Sequence, residues 1–259
     1  MNKRVPKILT AVAAWSLTPH MIRVTFTAAE IADMDPDCAG ANCKLFLPDA
    51  GQSLDDFQTQ LHGGPRPTVR TYTVRSIRPD QNELDIDFVD HGDSGPASAW
   101  ARGAKAGSFI GFAGPGPVKV TSFYADSYLV VADMSALPVA AATLEAMPDD
   151  AKGTAIFEIM SPDDKQDFRI PAGIDVHWIV NSDPHVSSPV IPDMVAAMDW
   201  PDGTVQTCIA GESGMIKILR QDLLVTRGLP KADCYISGYW KIGLIEDEHQ
   251  QLKRAEAAG

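Results

Sequence analysis

The sequence predicts two β-containing domains in tandem, an antiparallel six-stranded-type β-barrel followed by a parallel α/β domain. Three observations carry this. The chain has 259 residues, room for two domains of ordinary size. Up to about residue 120, short alternating apolar runs are punctuated by turn residues, as in a barrel. Beyond about residue 125 the apolar runs become continuous and alternate with helical patterns, as in a parallel sheet covered on both faces. The rhythm changes within 122–127, so the expected domains are 1–124 and 125–259.

Taken in order, Met21 to Thr27 places Ile22, Val24 and Phe26 on one strand face. Lys44 to Leu47 and Arg70 to Arg75 read as further strands, joined by a polar stretch, 48–67, that reads as a loop. Glu83 to Val89 alternates strictly, with Leu84, Ile86 and Phe88 opposite Asp85, Asp87 and Val89. A helix is expected from Pro96 to about Arg102, because proline suits a first helical position whose N–H has no partner anyway. Ser108 to Phe112 returns as a strand and ends in Gly114-Pro115-Gly116-Pro117. In the second domain, strands are expected at Tyr128–Ala132, Thr154–Met160, Val176–Val180, Val205–Ala210 and Cys234–Ser237. Helices fall near Leu137–Met147, Ile191–Met198 and Met215–Val225, and the charged tail from Ile245 reads as a short, solvated helix.

Hydrophobic residues make up 45% and charged residues 22%, an ordinary balance that excludes disorder and disulfide miniproteins. The net charge of −12 repels phosphate backbones, so no nucleic-acid partner is expected and an anionic ligand needs a local basic pocket. No apolar run approaches the ~18 residues of a spanning helix, and the N-terminus carries no signal-peptide core, so no membrane insertion is expected. The four cysteines have no metal-site spacing and read as reduced thiols of a cytoplasmic protein. The six histidines form no metal-binding pair, so no metal site is expected.

Two segments point to chemistry. In Arg70-Thr-Tyr-Thr73, Arg70 and Tyr72 share a strand face. An arginine fork can clamp a diphosphate while the tyrosine packs on a flat cofactor, and Thr73 adds a hydroxyl. His91 to Trp100 runs from a strand end into a helix start, where free N–H groups favour an anion and Gly95, Ala97 and Ser98 allow close approach. Read alone, the second segment is better taken as an ordinary capped helix with Trp100 in the core. Gly111 to Gly116 lacks dinucleotide-fingerprint spacing and is better read as a proline-bearing turn.

Together these segments resemble the siderophore-interacting protein family of FAD-dependent ferric-siderophore reductases, within the ferredoxin–NADP reductase-like superfamily. The resemblance rests on Arg70-Thr-Tyr-Thr-Val-Arg75, Asp87-Phe-Val-Asp-His-Gly92, Gly95-Pro-Ala-Ser-Ala-Trp-Ala101, Ala132-Asp-Met-Ser-Ala-Leu-Pro138, Ala210-Gly-Glu212 and Gly238-Tyr-Trp-Lys-Ile-Gly243. It covers essentially the whole chain. Ser135 departs from the family's usual threonine, the 48–67 segment is long, and Ser-Gly follows Glu212 in place of an alanine-rich turn.

The resemblance implies an FAD-binding barrel followed by a nicotinamide-binding-like α/β domain. It implies FAD held by Arg70, Tyr72, Thr73, Val74, Asp87, Val89, His91, Pro96, Ala97 and Ser98, with Ser135 contributed by the second domain. Lys44, Lys119 and Lys241 match the basic residues that receive a ferric siderophore. NAD(P)H or reduced ferredoxin is the implied electron donor, and a monomer is expected. No side-chain acid, base or nucleophile is assigned, because the flavin carries the redox chemistry. The competing readings are a general NAD(P)H:flavin-type reductase with another acceptor, and a siderophore- or haem-binding module without catalysis.

Overall fold

The computed structural model describes residues 5–92, 95–244 and 248. The chain folds into two compact units, Met1–Lys119 and Val120–Gly259. Asp93, Ser94 and the expected tail helix, apart from Glu248, lie outside the described residues.

The first unit contains β1 (Lys7–Thr18), β2 (Met21–Thr27), β3 (Asn42–Leu47), α1 (Leu54–Gly63), β4 (Thr68–Thr73), β5 (Ser76–Arg78), β6 (Glu83–Val89), α2 (Pro96–Gly103) and β7 (Phe109–Ala113). Its sheet runs β4-β3-β7-β1-β2-β6-β5, with every pairing antiparallel. The two end strands, β4 and β5, are halves of one segment separated only by Val74 and Arg75. Backbone bonds Val74 N–Ala41 O (2.9 Å) and Arg75 N–Asp85 O (2.9 Å) carry that segment from one end of the sheet to the other. The sheet therefore curls back on itself, and the seven strands correspond to six chain segments.

Two elements differ from the sequence expectation. The sequence pattern does not predict β1, since two register shifts against β2 break its alternation, leaving Val12 and Trp15 exposed while Leu9 and Ala11 are buried. The 48–67 segment is no plain loop, because it contains α1. Ser53 caps this helix by accepting from Asp56 N, and Phe57 is fully buried against Phe109 at 5.7 Å. Leu54, Phe57 and Leu61 do recur at helical spacing, but in a segment otherwise polar this three-residue stripe is short, and Phe57 alone in it is fully buried.

Leu9, Phe26, Leu45, Ile86, Phe88 and Phe112 fill the interior, and Trp100 of α2 closes over Phe26 and Phe88 at 5.9 and 5.8 Å. The opposite face of β6 is also largely covered. Arg23 grips Asp87 with two bonds (2.6 and 2.8 Å), and Asp85 receives Thr25, Ser76 and Arg78.

The second unit contains β8 (Ser127–Ala132), α3 (Leu137–Ala146), β9 (Lys152–Ile159), β10 (Gly173–Val180), α4 (Val190–Ala196), β11 (Val205–Glu212), α5 (Ser213–Gln221) and β12 (Cys234–Trp240). Five parallel strands lie in the order β10-β9-β8-β11-β12. Thr143 of α3 meets Cys208 on one face, while Ile209 packs with Ile191 of α4 and Ile216 of α5 on the other. Strand order reverses between β8 and β11, and the carboxyl ends at such a reversal are where parallel α/β sheets receive ligands. Among the described residues, no helix is long and apolar enough to cross a membrane.

Candidate functional site: the β4–α2 surface and the carboxyl ends of the parallel sheet

In the first unit, β4 is bonded only to β3 along the sheet, and its register puts Arg70 opposite Leu45 and Tyr72 opposite Cys43. Arg70 and Tyr72 thus share the face that leads into the core, yet both stay half-buried. Arg70 Nη1 donates to the Val69 carbonyl at 2.9 Å, which steadies the root of the guanidinium. The Tyr72 ring lies 4.6 Å from Phe88, and Phe88 meets Trp100, so an aromatic chain links β4 through β6 to α2.

The β6 end and the start of α2 form the neighbouring part of the site. Asp90 accepts from Gly92 N (3.2 Å) and Ser98 Oγ (3.1 Å), folding the turn back onto the helix. The His91 ring covers Gly95, where a Cβ would lie 2.2 Å from its Cε1. Gly95 makes no side-chain cap, and Pro96 stands in the first turn, so among the described residues no side chain closes this helix start. A cationic fork, an aromatic ring and a helix N-terminus fringed by small residues form a donor set suited to an anionic, flat dinucleotide.

Other expected residues occupy different surroundings. Val74 is fully buried, and its N–H and C=O pair with Ala41 and Gly40. Thr73 is buried, and Val89 is half-buried opposite Met21. Asp87 is a buried ion-pair partner of Arg23, with Arg75 Nε at 4.0 Å. Lys44 leaves the β3 face opposite Cys43 and Leu45 and donates to Thr71, so it does not share the face of Arg70. Lys119 is exposed, and Lys241, in the second unit, is half-buried.

At the carboxyl ends of the parallel sheet, Asp133 is buried and four donors converge on it. Ser135 N (2.9 Å) and Ser135 Oγ (2.6 Å) reach Oδ1, while Glu212 N (2.8 Å) and Trp240 Nε1 (2.7 Å) reach Oδ2. Burial pushes this carboxyl's pKa up, and the donors from Ser135, Trp240 and Glu212 pull against it. Because every one of these neighbours supplies a hydrogen, the geometry suits the anion. Glu212 in turn caps α5 by accepting from Gly214 N (2.6 Å) and Met215 N (2.9 Å). Glu158 is raised by burial, with the Asp133 and Glu212 charges adding to it.

Asp133 and Glu212 fall within the family motifs, yet the sequence pattern by itself assigns them no role. The signal it does carry is an acidic residue directly after an apolar parallel strand and just before a helix. The four cysteines are free; burial pushes Cys38 and Cys208 to about 11, which keeps both protonated and unreactive.

A curled antiparallel sheet followed by a five-stranded parallel α/β unit is the two-domain fold of the ferredoxin reductase-like class. The ferredoxin reductase of carbazole 1,9a-dioxygenase shares this fold, with a TM-score of 0.63 over 90% of this chain and 67% of that one at 17% identity. The chain belongs to the siderophore-interacting protein family. Its residues 10–119 match the siderophore-interacting FAD-binding domain and residues 125–243 the siderophore-interacting protein domain. It is 32% identical to the ferric vibriobactin reductase ViuB of Vibrio cholerae, over 95% of this chain and 93% of that one. The crystal structure of the siderophore-interacting protein SipS from Aeromonas hydrophila matches with a TM-score of 0.83 at 30% identity, covering 98% of each chain.

Proposed function

We propose that this protein is a ferric-siderophore reductase that moves electrons from NAD(P)H or reduced ferredoxin to chelated Fe(III) and so releases iron as Fe(II). The observation that supports it most is the chain of rings from Tyr72 through Phe88 to Trp100 of α2, with Arg70 on the Tyr72 face of β4, in a chain whose relatives of matching length include a ferric vibriobactin reductase. FAD, when bound, would supply the redox chemistry, accepting two electrons at once from NAD(P)H or one at a time from two ferredoxins and passing single electrons to Fe(III).

The chain's own residues bind and orient. Arg70 would take the diphosphate as a fork, helped by the N–H groups of Ala97 and Ser98 at the start of α2. Tyr72 and His91, the latter held over Gly95, would border the flat ring. Ser135 gives its hydroxyl hydrogen to Asp133, so toward any ligand it can only accept. Val74 and Asp87 enter this reading as supports of the β4 and β6 backbones. Lys44, Lys119 and Lys241 are the cations proposed to receive an anionic ferric chelate. A cytoplasmic monomer completes the proposal, in keeping with four free thiols.

The test is anaerobic mixing of the FAD-loaded chain with NADH, NADPH or reduced ferredoxin, followed by ferric trihydroxamate or ferric tricatecholate with a chromogenic Fe(II) trap. Flavin bleaching by a donor and Fe(II) formation by the chelate are expected. Turnover with other acceptors and none with either chelate would instead assign a general flavin reductase. Chelate binding without turnover would assign a binding module.

A further inference from the structure

Lys241 is the first residue beyond β12, and its backbone is held on both sides. Before it, Trp240 is fixed three ways. Its indole Nε1 donates to Asp133, its carbonyl accepts from Ser213 Oγ at 2.8 Å, and its ring stands edge-on to His185 at 6.0 Å. After it, Ile242 N donates to Glu212 Oε1 at 3.3 Å, and Leu244 N closes a turn onto the Lys241 carbonyl at 3.1 Å. The β11–β12 register also shifts here, pairing Gly211 with Gly238 but Glu212 with Trp240, so that Tyr239 is an extra residue. Such a bulge re-aims the residues that follow it. Gly238 permits the arrangement, since a Cβ there would sit 2.3 Å from Ser213 Oγ.

Two of these contacts, those of Trp240 Nε1 and Ile242 N, end on carboxylates at the carboxyl ends of the sheet. Asp133 directly follows β8 and Glu212 ends β11, and Asp133 also anchors Glu212 through its backbone N–H. A helix cap and a strand end could be satisfied without reaching β12. Yet the second oxygen of Glu212 is turned away from α5 onto Ile242, and the Asp133 carboxylate reaches 107 residues along the chain to Trp240. We propose that Asp133 and Glu212 are positioning residues for Lys241, two carboxylates that clamp the segment Trp240-Lys241-Ile242 and so aim the cation that receives an anionic ferric chelate. This rests on the reading of Lys241 given above. A lysine loses about four side-chain rotors' worth of freedom when it grips an anion, and a fixed backbone reduces what must still be ordered on binding.

The test uses the full FAD-loaded chain and redox-inert Ga(III) complexes, so that binding is read by calorimetry without turnover. The probes are an anionic Ga(III) tricatecholate and a neutral Ga(III) trihydroxamate. Trp240→Phe removes the indole donor to Asp133 and keeps an aromatic ring, and Glu212→Gln keeps one acceptor oxygen, enough for the α5 cap or for Ile242 N but not both, where Glu212→Ala keeps none. Trp240→Phe and Glu212→Ala should each weaken the tricatecholate by roughly three- to tenfold, with the trihydroxamate nearly unchanged and Glu212→Gln falling between Glu212→Ala and wild type. In a Lys241→Ala background, Trp240→Phe should add no further loss, since coupled residues are not additive. If Lys241→Ala itself leaves tricatecholate affinity intact, the assignment of Lys241 fails. If Lys241→Ala weakens it but Trp240→Phe and Glu212→Ala do not, the clamp is overturned. Equal losses for both complexes, or a loss that persists without Lys241, would likewise overturn it by showing a merely structural effect.

Discussion

Asp85 sits beneath the surface of β6 with Thr25 and Ser76 hydroxyls at 2.6 Å and the Arg78 fork at 2.8 and 2.9 Å. Burial opposes its charge, but the bonds from Arg78, Ser76 and Thr25 outweigh that and hold its pKa below the ordinary carboxylate value. A depressed carboxylate contributes stability that is present above the unfolded-state pKa and is lost as pH falls through the folded one. Asp85→Asn should therefore cost roughly 3 kcal/mol at neutral pH. In urea unfolding, the gap from wild type should close as pH falls into the acid range; a constant gap would mean the charge does not matter. Arg70 makes a different prediction. Arg70→Ala removes the fork proposed for the diphosphate, so the variant should lose most of its FAD on dialysis while unfolding near the wild-type temperature. Full flavin occupancy after dialysis would show that Arg70 does not hold the cofactor.

At the scale of elements, legibility follows how local the cause is. β6 and β8 can be read because alternation and a continuous apolar run lie within a few residues. The outward face of Asp85 and Asp87 is also legible, but their burial is not, because Thr25 and Arg23 arrive from another strand more than fifty residues away. The Asp133 site is hidden for the same reason, with donors from β11 and β12. In β1 the bulges erase the pattern, and in α1 the short stripe of Leu54, Phe57 and Leu61 has a single fully buried anchor, Phe57. That anchor yields a prediction. Phe57→Ala should remove about 3–5 kcal/mol of packing. Because α1 has no other fully buried side chain, hydrogen exchange should lose protection across α1 while β3 and β7 keep theirs. Loss of protection throughout the sheet would show that α1 is integral to the barrel's stability.

For the whole molecule, the dominant long-range feature is the net charge of −12. An anionic ferric chelate approaches against this field, and salt with a Debye length of about 8 Å at physiological strength screens distant charges more than close contacts. Its association rate should rise as salt increases from low to physiological levels, while a neutral chelate's rate stays flat. Stopped-flow quenching of the flavin reads both; a falling rate for the anion would mean that local lysines steer it from afar.

The sheet order has a consequence for how the chain is made. β7, the last strand of the first unit, lies between β3 and β1 and joins β4-β3 to β1-β2-β6-β5. A ribosome delivering residues in order exposes two partial sheets, each with an unpaired edge, until Phe109–Ala113 emerges. The β1 edge that awaits β7 includes Lys7–Thr10, beside the exposed Val12 and Trp15 of the same strand. The nascent barrel thus passes through a stage open to pairing with other chains, and a single five-residue strand ends it.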